Sequence, residues 1–258
     1  MTTDFMKLSK IAKIEGEGLG TSYEYLTKSR ILLPLFETIR PKRVLICGLP
    51  EKYGYSMDFV MLSSAFATKV FVLDERKRKI TTFKSILKTV IEALNLSDEL
   101  LKKIHIEQRD LYDIPKEEFD IALSCEVLQR FHKDKRELFV SRVRSMGKLC
   151  CLFAPNAKNI SHAKISKLNG ITLEELRSYF KRDEILSSGY IDCPPNPPGV
   201  SFSKEGEVSC FDLSKTELIV AKLLIVWLRI VERIFLRRLG GFFGNHSHMI
   251  YVISRRSS

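Results

Sequence analysis

The chain lacks the cysteine spacing of a metal or redox site. Its six cysteines (47, 125, 150, 151, 193 and 210) include no Cys-x-x-Cys pair and form no zinc-like pattern with the five histidines. No metal is therefore expected. Cys47, Cys125, Cys150 and Cys151 fall in apolar, strand-like runs, where a thiol behaves as a small buried hydrophobe. Reduced thiols point to a cytoplasmic protein. A secretion-type leader is also missing, because Met1–Lys13 has no long apolar core followed by a small-residue cleavage site. Long hydrophobic runs are scarce. The apolar stretch Leu223–Leu228 is cut off by Arg229, well short of the roughly 20 residues a membrane-spanning helix needs. An acidic balance is absent too, the net charge being +11.

What is present describes an ordinary soluble globule. Hydrophobic residues make up 45% of the 258 and charged residues 28%, enough for one large domain or one domain with a subdomain. The positive balance suits an anionic partner such as RNA, an anionic lipid surface or an acidic metabolite. The charge is spread along the chain, which equally describes a highly charged surface with no such partner.

The most informative stretch is Lys42 to Glu75. Val44–Cys47 is a short apolar run stopped by Gly48-Leu49-Pro50, as expected of a buried strand entering a turn. Tyr55–Thr68 is helical in pattern, with Phe59, Leu62 and Phe66 on one face. Lys69–Leu73 is a second apolar strand, closed by Asp74-Glu75. Strand, loop, helix, strand, acid is the first half of a nucleotide-type βαβ unit, in which loop and acid converge at the carboxyl edge of the sheet. A ligand with a ribose would place its hydroxyls on that carboxylate. A dinucleotide-dependent dehydrogenase fits poorly, because Gly-x-Gly-x-x-Gly does not follow the first strand.

Before this unit, residues 1–21 are expected to be a mobile polar lead-in, and Ser22 to cap a helix through Ile39 that Pro41 ends. Tyr23 and Tyr25 either cover a ligand or pack on the surface. After it, Arg76–Asn95 predicts a helix, Leu101–Ile106 leads into a third strand and loop, and Ile121–Cys125 is a fourth strand. Lys133–Arg144 is helical and Leu149–Ala154 a fifth strand. Thr172 and Glu175 form a capping box on a short helix. Ile185–Ile191 predicts a sixth strand, Cys193–Gly199 a rigid proline loop, and His248–Ser254 a last strand. The order predicts a Rossmann-like doubly wound α/β sheet, mostly parallel with an antiparallel last strand, and helices on both faces. Residues 1–40 form a lead-in and helix, and 41–258 the main domain, to which 157–247 contribute a cap and a long helix.

That helix, Ser214–Leu239 up to Gly240-Gly241, carries Lys222, Arg229, Arg233 and Arg237 on one side. It packs on the sheet, forms a homodimer interface, or lies on a membrane with its basic residues at the headgroups.

Together these elements resemble the class I S-adenosylmethionine-dependent methyltransferases, over Arg43 to Asn156 and again at the last strand. Gly48 matches the first glycine of that family's loop, Gly54 the last, and Asp74, with Glu75, the acid that binds ribose. Asp110 and Leu111 match the adenine position. Phe119-Asp120-Ile121-Ala122-Leu123 followed by Glu126-Val127-Leu128-Gln129-Arg130-Phe131 matches the fourth-strand motif. Ile46 replaces the family's first-strand acid, the middle glycine is missing, and Glu51 is one residue that could supply the lost carboxylate. The resemblance implies S-adenosylmethionine as cofactor and a methyl acceptor that is a small molecule, a lipid-linked compound or RNA. Glu126 is placed on the cofactor side, and Glu126 and His132 are candidate bases for an oxygen or nitrogen acceptor. Asp120 is expected to shape the strand end. Residues 159–170 and 193–206 would cap the carboxyl edge. The competing expectation is a non-catalytic protein on this fold that binds RNA, a membrane surface or a protein partner.

Overall fold

The computed structural model describes residues 5–114, 118–167, 169–191, 214–234 and 244–256. The expected proline loop, the whole 193–206 cap and the Gly240-Gly241 break lie outside the described residues. Seven strands form one sheet: β1 (Arg43–Cys47), β2 (Lys69–Asp74), β3 (Ile104–Gln108), β4 (Phe119–Cys125), β5 (Gly147–Pro155), β6 (Ile185–Tyr190) and β7 (Met249–Arg255). Their order is β3-β2-β1-β4-β5-β7-β6, and β7 runs antiparallel to both neighbours. The expected doubly wound sheet is what the chain forms.

The strand runs read as continuous apolar stretches because both sheet faces are covered. Val44, Ile46, Val70, Val72, Ile121 and Leu123 pack into one core with α1 (Phe5–Ile14), α2 (Leu19–Ile39), α3 (Met57–Phe66) and α4 (Lys77–Ala93). Leu45, Cys47, Leu73, Ala122 and Cys150 face a second core with α6 (Lys133–Met146). Between these helices lies the short α5 (Glu99–Lys103); later in the chain come α7 (Ile160–Ser166), α8 (Leu173–Ser178) and α9 (Lys215–Ile234). Cys47, Cys125, Cys150 and Cys151 are free and buried.

Several local expectations are corrected. The stretch read as a mobile lead-in contains α1, whose Phe5, Leu8, Ile11 and Ala12 are buried at helical spacing. Ser22 does not cap α2. The helix starts at Leu19, so Ser22 lies inside it and its hydroxyl donates to the Gly18 carbonyl at 3.3 Å. Tyr23 and Tyr25 are buried in the core rather than lying at the surface. Thr172 caps α8 by accepting from the Glu175 N–H at 3.0 Å, but the Glu175 carboxylate turns to Arg136 and Tyr179.

Candidate functional site

Register builds the site. β1 pairs β2 with Cys47 opposite Leu73, and β2 pairs β3 with Asp74 opposite Gln108. β1 also pairs β4 with Ile46 opposite Leu123. Chain continuing past these pairs puts Gly48, Asp74, Asp110 and Glu126 at one carboxyl edge. Gly48 has φ +78° and Gly54 φ +67°, a left-handed backbone that favours glycine. A Cβ on Gly48 would lie 2.8 Å from Val127 Cγ2, so only glycine lets the β1 turn pass beneath the segment after β4. Between the two glycines, the Glu51 N–H donates to the Glu126 carbonyl at 3.2 Å.

Asp74 is buried and surrounded by donors. Its Oδ2 accepts from the Leu49 N–H at 2.7 Å and from the Arg76 guanidinium at 2.8 Å; its Oδ1 accepts from Arg76 Nε and the Arg76 N–H, each at 2.8 Å. Burial alone would raise its pKa. The Arg76 hydrogen bonds and the two backbone donors outweigh burial and hold the carboxyl below its ordinary value. Arg76 also donates to the Leu49 carbonyl at 2.7 Å and to Glu51 Oε2 at 3.0 Å. Arg130 stands 3.6 Å from Asp74 Oδ2. Glu51 is therefore turned toward these arginines.

Beside this cluster is a cavity of about 60 Å³ lined in part by Gly48, Glu75, Asp110, Leu111, Phe131 and Phe139. Leu111, Phe131 and Phe139 give it apolar and aromatic groups beside the charged Asp74, Glu75, Arg109 and Arg130. Asp110 sits at its rim, and its Oδ1 accepts from the Tyr112 N–H at 3.0 Å, which fixes the 3-10 turn Leu111–Asp113. Ligand pockets run to roughly 300–1,000 Å³, so this volume admits a fragment of a nucleotide and not the whole.

A buried polar layer lies behind the loop. Glu126 has φ +53°, a strained conformation for a non-glycine residue, and is 3% exposed with its Oε2 lacking a hydrogen-bond partner. Burial, then the nearby Glu24 charge, push its pKa up to about 8. Lys28, also buried, reaches Glu24 at 3.0 Å, Asp58 at 3.1 Å and Cys125 Sγ at 3.8 Å. Glu15 Oε1 accepts from the N–H groups of Tyr55 and Met57 at 2.8 and 3.3 Å, while the Tyr25 hydroxyl donates to Oε2. Burial pushes Glu15 up to about 8 as well. Glu17 Oε1 accepts from the Gly54 N–H at 3.0 Å. The α1–α2 hairpin thus holds the glycine loop through its carboxylates.

One candidate base is placed elsewhere, and Asp120 shapes a strand end as expected. His132 lies on the surface at the start of α6, with its ring nitrogen paired to Asp134, and is not brought to Glu126. Asp120 is at the opposite edge of the sheet, accepting from the N–H groups of Lys42 and Arg43 at 2.8 and 3.1 Å. Sequence reasoning missed Glu15 and Lys28, and took Arg76 only as the first residue of a helix. The one available signal was its position two residues after the strand-end acid.

No family model matches the chain, and no curated protein matches it. Among solved structures it is similar to magnesium protoporphyrin IX methyltransferase from Synechocystis PCC 6803. With bound SAH the TM-score is 0.53 at 11% identity, covering 91% of this chain and 83% of that one. With bound SAM the TM-score is 0.51 at 10% identity, covering 91% and 79%. The likeness establishes a shared fold.

Proposed function

We propose that the chain is an S-adenosylmethionine-dependent methyltransferase. The carrying observation is the strand register that gathers the Gly48 turn, Asp74, Asp110 and Glu126 at one carboxyl edge. The Synechocystis enzyme of the same fold was crystallised with SAM and with SAH, which supports the choice of cofactor. The adenosine end fits the residues present. Asp110 and Leu111 border an aromatic slot for adenine, and Asp74 is an acceptor for ribose hydroxyls once Arg76 and Arg130 turn away. The unpartnered Glu126 Oε2 offers an acceptor to an incoming donor.

The cofactor would supply an electrophilic methyl group, and in such displacements alignment of the reacting atoms provides much of the rate. This chain's contribution is to bind and orient. Glu126, with a pKa near 8, is half ionised in mildly basic solution and suits proton removal from an oxygen or nitrogen acceptor. The acceptor class stays open between a small molecule, a lipid-linked compound and RNA.

Calorimetric titration with S-adenosylmethionine and S-adenosylhomocysteine tests the reading. Micromolar binding that Asp74→Ala abolishes is expected. No heat at millimolar ligand from folded protein would overturn it. Two observations favour the second reading, a non-catalytic protein on this fold: the Asp74 carboxylate is saturated by its own chain, and the adjoining cavity is small.

A further inference from the structure

The helix α9 has two apolar faces, and the fold uses one. Ala221, Leu224 and Leu228 are buried, at 0%, 2% and 3% exposure, and α9 packs there against α1 and α2. An ion pair from Lys13 of α1 to Glu217 at 3.4 Å secures it further. Core packing is thereby accounted for by that face alone.

The other face is turned to solvent. Ile219 is 61% exposed, Leu223 62%, Val226 49% and Trp227 42%. Ile219, Leu223 and Trp227 recur every four residues and Val226 lies three after Leu223, which puts these side chains on one side of the helix. Four large apolar groups left contiguous on a surface mark an interaction site rather than scatter. Lys215 and Lys222 are exposed at the same helix surface, and no acid of the described helix lies between them and the stripe except Glu217, which is paired inward. In sequence, Arg229 follows Lys222 at the same seven-residue interval that separates Lys222 from Lys215, and the whole chain carries a net charge of +11.

We infer that α9 docks the protein on an anionic lipid surface, the stripe Ile219–Leu223–Val226–Trp227 entering the headgroup boundary and the lysines meeting lipid phosphates and carboxylates. A helix with one face on its own domain, a second apolar face and basic flanks is the form taken by in-plane interfacial helices. No described helix is long and apolar enough to cross a membrane, so docking is parallel to the surface. A second copy of the chain is disfavoured as occupant by the basic flank, which would face its like across a two-fold axis. The inference does not depend on methyl transfer.

Trp227 is the chain's single tryptophan, so its emission reports the stripe directly. With vesicles of phosphatidylcholine mixed with phosphatidylserine, the full chain is expected to co-sediment and the emission to shift to shorter wavelength. Pure phosphatidylcholine vesicles should give neither. Leu223→Asp should weaken partitioning by at least about tenfold and leave the melting temperature unchanged, because Leu223 is 62% exposed. Raising salt should release the protein, since attraction of lysines to an anionic surface is screened over about 10 Å at 0.1 M. Protein that stays in the supernatant with unshifted emission would overturn the inference. So would a concentration-dependent dimer whose Trp227 is already shielded in buffer, and so would equal binding to both vesicle types.

Discussion

Asp74 accepts more hydrogen bonds than a ribose-binding carboxylate can spare. Arg76 occupies both of its oxygens, and the Leu49 N–H takes a further position on Oδ2. If the methyltransferase reading holds, Arg76 competes with the ribose for the same acceptor. Its side chain is 26% exposed, so it can swing into water without breaking the core. Arg76→Gln is therefore expected to tighten S-adenosylmethionine binding by about tenfold, ~1.4 kcal/mol, with the Leu49 donor left to hold Asp74 in place. Calorimetry on the variant measures this, and weaker binding would mean that Arg76 contacts the ligand instead of blocking it. The strand-end acid was legible because an apolar run ending in Asp is a strong local pattern. The arginine's role was not, because hydrogen bonding across a turn leaves no periodic trace. Glu126 shows the same limit: its motif could be read in order, but its positive φ and its unpartnered oxygen belong to the folded backbone.

At the scale of elements, the glycine loop and the α1–α2 hairpin form one unit. Gly54 sits where a Cβ would come within 2.4 Å of the Tyr25 hydroxyl and 3.5 Å of Glu15 Oε2, at φ +67°. Tyr25 and Glu15 are both buried and bonded to each other, so neither can yield cheaply. Gly54→Ala is expected to destabilise the protein by about 1–3 kcal/mol, the usual cost of a strained left-handed residue, and to loosen the hairpin from the loop. Chemical denaturation gives the first quantity, and hydrogen exchange at the Tyr55 and Met57 amides gives the second. Unchanged protection there would show that the carboxylates do not clamp the loop. The strands β1, β2, β4 and β5 were legible because two-sided burial makes them uninterrupted apolar runs. The helix α1 was not. Its Lys7, Lys10 and Lys13 alternate with the buried Phe5, Leu8, Ile11 and Ala12, and the Glu15–Gly20 stretch that follows has the composition of a linker. That stretch is polar because Glu15 and Glu17 serve the loop, a contact forty residues away in sequence from Tyr55.

Across the whole molecule, the alternation of strands and helices sufficed for the topology, since right-handed crossovers and a last antiparallel strand leave few arrangements. The buried charge layer could not be foreseen in this way, and it sets a global property. Glu15 and Glu126 have pKa values pushed from 4.5 to about 8 by burial, so the folded chain keeps protons that the unfolded chain releases above about pH 4.5. The stability they contribute is present in full below that point and is lost as pH rises to about 8. Asp74 acts in the opposite sense: its lowered pKa contributes stability that is lost as pH falls through the acid range. Stability should therefore peak in mildly acidic solution rather than at neutrality, and then decline toward pH 8 before levelling. Glu15→Gln keeps a neutral, hydrogen-bonding group in the same place and removes one source of the decline. Relative to the parent chain, its melting temperature is expected to gain on the order of 5 °C between pH 5 and pH 8. Thermal scans of both proteins across that range decide the matter. Parallel curves would mean that Glu15 is ionised in the fold at pH 5 and that Lys28, next to its neighbour Asp58, neutralises the layer as a whole.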